Sequence, residues 1–175
     1  VSTGTEHQSS VNMTYEPEAG LWLAWVNEEE HNNTNCYYQK FTPDGARSFP
    51  KDKKMLYTQL TSPPELKNPH ILCVYGEGEA FVCWEDYRND PKFPDIYLTK
   101  IDDKGKVLWQ YGGVPVCTIE GDQSRPVMAS DGNGGVYVAW VDRRSKVKDE
   151  VYVQHLDPNG KILFEKNGKL ICSAN

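Results

Sequence analysis

Two runs in this 175-residue chain place an aspartate two residues after a tryptophan and an arginine two residues after that: Trp84-Glu85-Asp86-Tyr87-Arg88 and Trp140-Val141-Asp142-Arg143-Arg144. Such an Asp and Arg offer two chemistries. Facing water at a strand end, they could hold an anion or the hydroxyls of a sugar, with Tyr87 as a stacking surface. Turned toward its own turn, the Asp accepts backbone N–H groups and the Arg neutralises it. Repetition decides between them. A reacting site needs different groups in different roles, whereas a scaffold needs the same group each time.

The chain repeats itself three times. Trp25, Trp84 and Trp140 are spaced 59 and 56 residues apart. After each comes a tyrosine, Tyr37, Tyr97 or Tyr152, eight residues before a glycine, Gly45, Gly105 or Gly160. "HQSSVNMTY", "ELKNPHILC" and "DQSRPVMAS" open the units, and "KKMLYTQL", "GVPVCTIE" and "GKLICSAN" close them. The units lie near 5–60, 65–118 and 122–175, a period that suggests a propeller or an array. Trp25, Trp84 and Trp140, with the three tyrosines and three glycines, read as structural core of the repeat. The clamp reading of Asp86–Arg88 and Asp142–Arg144 is favoured on the same ground. As a ligand surface the candidates are Asp86, Tyr87, Arg88, Asp142, Arg144 and Tyr111. Trp109 shares the repeat position of Phe49 and Phe164 and reads as core.

Each unit predicts four short strands. In the third they are "RPVMAS", "VYVAWVD", "EVYVQHLD" and "KILFEK", with "KLICS" trailing, separated by Asp-Gly and Asn-Gly hairpin signals. The second strand is apolar on both faces. Trp22, Phe81 and Tyr137 alternate with Ala24, Cys83 and Ala139 on one face, and Leu21/Leu23, Ala80/Val82 and Val136/Val138 lie on the other. A sheet with one wet face would alternate polar and apolar residues, so these sheets are covered on both sides. The expected fold is all-β: three four-stranded antiparallel blades of a β-propeller, a partial ring or half of a six-bladed one. Three blades leave two apolar flanks open. The expected partner is therefore a second copy of the chain or further blades.

Composition bounds the function. A formal net charge of −6 and a pI near 5.2 argue against nucleic-acid binding, and no apolar run is long enough to span a membrane. Five cysteines without a C-x-x-C pair or a nearby His predict no metal site and no cofactor. Cys73 and Cys83 flank the "VYGEGEAFV" hairpin symmetrically, which makes them a candidate disulfide. Asp131 and Asn133 in "DGNGG" have calcium-loop spacing, but a strand begins at once and favours a plain turn. Hydrolysis of a glycoside needs two carboxylates about 5 to 10 Å apart across a cleft. No non-repeating carboxylate set stands out, and His7, His31, His70 and His155 pair with no Ser or Cys.

The matching residues "VAWVDRR", "DIYLTKIDDKGKVLWQYGGVPVC" and "VYVQHLDPNGKILFEKNGKLIC" resemble the tandem Trp-x-Asp-x-Arg / Asp-x-x-Gly repeats of secreted and surface bacterial proteins, which are related to sialidase-type (Asp-box) propellers. The likeness covers essentially the whole chain and weakens in the first repeat, where Asn27 and Glu29 replace Asp and Arg. The turns at 42–45, 102–105 and 157–160 resemble the Asp-box, with Trp109 one residue too far from its glycine. The resemblance implies a propeller and an extracellular or cell-surface location. The function expected is a non-catalytic module, not an enzyme, acting as scaffold or as a surface for a protein or ligand. The alternatives are a glycan-binding lectin with sites between blades and a fragment of a sialidase-like glycoside hydrolase.

Overall fold

The computed structural model describes residues 7–18, 20–29, 33–49, 54–57, 66–73 and 78–173. They form three antiparallel sheets of four strands each, and no helix occurs among them. The first sheet is β1 (His7–Glu16), β2 (Gly20–Glu29), β3 (Asn33–Phe41) and β4 (Lys54–Tyr57). The second is β5 (Leu66–Cys73), β6 (Ala80–Asp86), β7 (Asp95–Ile101) and β8 (Val114–Cys117). The third is β9 (Gln123–Ser130), β10 (Val136–Asp142), β11 (Glu150–Leu156) and β12 (Lys169–Ser173). Each sheet runs in chain order and lies within one sequence repeat. The first strands β1, β5 and β9 pack side by side, and the sheets fan outward from them without closing into a ring.

The two-faced apolar pattern of the second strands builds two cores. Between the first and second sheets, Trp22, Ala24 and Tyr38 meet Ile71, Ala80, Val82 and Trp84. Between the second and third, Phe81, Cys83 and Leu98 meet Val136, Val138 and Trp140. Burying one such side chain is worth roughly 2 to 3 kcal/mol, so the sheets are held by their large-against-small faces. The turns are shaped by side chains. Asp102 Oδ1 accepts from Lys104 and Lys106 N–H, and Asp157 Oδ1 from Asn159 and Lys161 N–H. In the first repeat the Thr42 hydroxyl takes the Ala46 N–H in their place.

Two sequence expectations need correction. The fourth strand of the third sheet is Lys169–Ser173, not "KILFEK". Residues 161–166 make only a bridge, Ile162 to Leu156, because Gln154 captures their backbone. Its Oε1 accepts the Phe164 N–H at 3.0 Å and its Nε2 donates to Glu165 O at 2.8 Å. Second, Cys73 and Cys83 do not face each other. The hairpin register sets Cys73 opposite Ala80 and Cys83 opposite His70, and Cys83 is a free, buried thiol. Burial pushes the Cys83 thiol well above its usual range. The Cys73 side chain lies outside the described residues.

Candidate functional site

The Trp-x-Asp-x-Arg runs fold into closed clamps. Asp142 is fully buried at the end of β10. Its Oδ2 accepts Trp140 Nε1–H at 2.8 Å, and its Oδ1 accepts Arg144 N–H and Nε–H, each at 2.9 Å. The Arg144 guanidinium also reaches Asn167 O at 2.8 Å and lies 3.6 Å over the Tyr152 ring. The second sheet repeats this. Asp86 takes Trp84 Nε1–H at 2.7 Å and Arg88 Nε–H at 2.8 Å, and Arg88 reaches Gly112 O at 2.9 Å and sits 3.9 Å over Tyr97. In the first sheet Trp25 Nε1–H donates to Asn27 Oδ1 at 3.1 Å. Each clamp pins the loop before the fourth strand of its own sheet. The two aspartates are fully buried and expose no edge to a ligand. Tyr87 lies under Lys67, Tyr111 is exposed elsewhere on the surface, and Trp109 is engaged against the Gly160 turn.

A different arrangement lies where the first strands meet. Ser10, Asn68 and Arg125 occupy one repeat position and share a left-handed backbone, with φ of 51°, 47° and 56°. At each, the pairing with the second strand skips register, so all three first strands carry the same bulge. Left-handed φ in a non-glycine residue costs roughly 1 to 2 kcal/mol and persists where the surroundings impose it, often at functional sites. Ser10, Asn68 and Arg125, at the three bulges, line one cavity of about 420 Å³ together with Asn12, His70 and Val127. Asn12 Oδ1 accepts the Ile71 N–H at 3.2 Å, tying β1 to β5. Behind the third bulge, Glu85 Oε1 accepts the Arg125 N–H at 2.7 Å. Burial pushes the His70 imidazole below its usual pKa.

Sequence reasoning missed this group. The signal was present in Glu85, a buried carboxylate where the other repeats have Val26 and Val141. It was also present in a first-strand position that reads Ser, Asn and Arg in turn. Attention to what repeats hid what does not.

At the sheet end where β9 begins, a cleft of about 690 Å³ opens between the second and third sheets. Phe93 and Val147 form its apolar wall. Arg143 bridges Asp149 (2.5 Å) and Asp122 (3.6 Å), and Lys146 pairs with Glu120 at 2.6 Å. Asp95, beside the Asp86 clamp, is nearly buried. Burial pushes its carboxyl up to about 6, although Asn89 Nδ2 donates to it at 2.6 Å and pulls the other way. Among the described residues no group of three or more His, Cys, Asp or Glu is placed to hold a metal.

No family model matches the chain, and no curated protein matches it. Solved structures do. An endo-arabinase from Bacteroides thetaiotaomicron superposes with TM-score 0.54 at 14% identity, over 93% of this chain and 58% of that one. An α-L-arabinofuranosidase from Lactobacillus brevis gives 0.53 at 8%, over 91% and 52%. The α-L-arabinofuranosidase Arb93A from Fusarium graminearum, solved with an iminosugar inhibitor, gives 0.57 at 13%, over 94% and 48%. The likeness shows an all-β, propeller-like fold, and the chain spans about half the length of these proteins. It corrects two expectations, that the chain is a non-catalytic scaffold or binding module and that it is no part of an enzyme. All three of these solved proteins are glycoside hydrolases. The sequence pointed the other way because its strongest signal, the repeated clamp, is structural.

Proposed function

We infer that this chain supplies three blades of a propeller-type, sialidase-like glycoside hydrolase. The observation that carries the inference is the trio of bulges. One backbone distortion is built three times and given three different polar side chains, Ser10, Asn68 and Arg125, around one cavity. A scaffold repeats its residues; a binding site varies them on a repeated frame. The fold shared with an arabinase and two arabinofuranosidases supports a glycan as the substrate class. In this reading Arg125 offers a forked donor to sugar hydroxyls or to a carboxylate, and Asn68 and Ser10 add a carboxamide and a hydroxyl. Glu85, buried behind the cavity, accepts the Arg125 backbone N–H and holds the third bulge in place. The two carboxylates that hydrolysis requires come from blades beyond these three. A polymeric glycan does not cross a membrane, which fits an extracellular or surface location.

The test is binding of linear arabinan, of 4-nitrophenyl α-L-arabinofuranoside and of a sialoside by the 175-residue chain, followed by NMR line broadening. Binding of one of these, lost in Arg125→Ala at unchanged melting temperature, is the expected outcome. A chain that binds none of the three overturns the reading.

A further inference from the structure

Adjacent sheets in this chain join by a rule that leaves one member of each series unmatched. The aromatic residue before each fourth strand lies on the turn glycine of the following sheet. A Cβ on Gly105 would sit 2.7 Å from Phe49 Cζ, and one on Gly160 would sit 3.0 Å from Trp109 Cδ2. Trp109 Nε1 also donates to Pro158 O at 3.3 Å across that junction. The remaining aromatic is Phe164 of the third sheet, and the remaining glycine is Gly45 of the first. Gly45 keeps the same turn, with φ +85° against +73° and +82°, yet no atom of the described residues lies within 4 Å of where its Cβ would be.

The apolar faces tell the same story. On the face turned toward the next sheet, Trp22 and Phe81 are fully buried, but Tyr137 is 37% exposed. On the face turned toward the preceding sheet, Trp84 and Trp140 are buried, but Trp25 is only half-buried. The cross-strand register extends these exposed patches. Met13 and Tyr15 join Leu21, Leu23 and Trp25 on the first sheet, and Val127 and Val151 join Tyr137 on the third. The exposed members therefore fall on opposite flanks, and each flank has the shape of the other's missing neighbour.

We propose that a second copy of this chain covers both flanks, joined head to tail, so that the third sheet of each copy seats on the first sheet of the other. Two copies then close a ring of six sheets. Closed two-fold assemblies are the commonest oligomers. Phe164 seats on the partner's turn glycine as Phe49 and Trp109 do within one copy. The cavity at the bulges becomes central and is lined by both copies. The inference rests on packing and stands whether or not the ring cleaves a glycan.

Light scattering on the 175-residue chain at micromolar concentration reads it directly. The expected mass is twice 19.9 kDa. A cooperatively melting monomer, or unlimited growth in mass, overturns it. Leu23→Glu on one flank and Tyr137→Glu on the other are each expected to give folded monomers. Mixing the two is expected to restore the doubled mass, because one junction then joins two unaltered flanks. A mixture that stays monomeric, or either variant alone remaining a dimer, overturns the head-to-tail arrangement. Met13→Lys at an already exposed position replaces Leu23→Glu if that variant does not fold.

Discussion

The clamps and the bulges both recur with the repeat, but they recur in different currencies. The clamp keeps its side chains: Trp84, Asp86 and Arg88 are matched by Trp140, Asp142 and Arg144, with nearly the same hydrogen-bond lengths. The bulge keeps only its backbone, because Ser10, Asn68 and Arg125 share a φ and little else. Identity held at the side chain marks parts that hold the sheet together. Identity held only at the backbone marks a frame on which side chains are free to specialise.

Mutations separate the two. Trp140→Ala empties a fully packed site and is expected to lower unfolding free energy by about 3 to 5 kcal/mol, read by urea denaturation. Asp142→Ala strips the partner from Arg144 and from the Trp140 indole and is expected to cost roughly 3 kcal/mol. Asn27→Ala, in the sheet that lacks the arginine, should cost only about 1 kcal/mol. Equal losses at Asp142 and Asn27 would break the distinction between a full clamp and a partial one.

Asp95 adds a pH dependence. Its carboxyl is raised in the folded chain to about 6, so the folded state holds the proton more tightly than the unfolded one. That contribution is fully present below the ordinary aspartate range and is lost as pH rises to about 6, a fall on the order of 2 kcal/mol. Asp95→Asn should flatten stability between these limits, and an unchanged slope would remove Asp95 as its source. The smallest expected effect lies at the bulge. Arg125→Gly removes an exposed side chain and relieves a left-handed φ, so stability should hold or rise by up to about 1 kcal/mol. A loss beyond that would make the arginine a structural part and erase the contrast.

The sequence carried the three repeats and the strand faces clearly, since a two-residue alternation survives any loop. Trp25, Trp84 and Trp140 were placed by that pattern alone. The fourth strand was harder, because Gln154 shapes the 161–166 loop with a side chain whose reach no periodicity records. The Cys73–Cys83 pairing failed for a related reason. Symmetry about a glycine-rich turn does not fix register, and the β5 bulge belongs to backbone conformation rather than composition. The cavity residues were the least legible. They are distant in sequence, and only the side-by-side packing of β1, β5 and β9 brings them together.

Every residue of β6 and every residue of β7 is buried. No strand of the outer sheets for which the whole burial pattern is described matches this. In a stack whose members touch only their neighbours, protection accumulates at the centre. The amide protons of these two strands should therefore be the last to trade with deuterium, with the first and third sheets opening ahead of them in separate, smaller events. The middle sheet then acts as the chain's memory of its fold, the template on which the outer sheets re-form after each excursion.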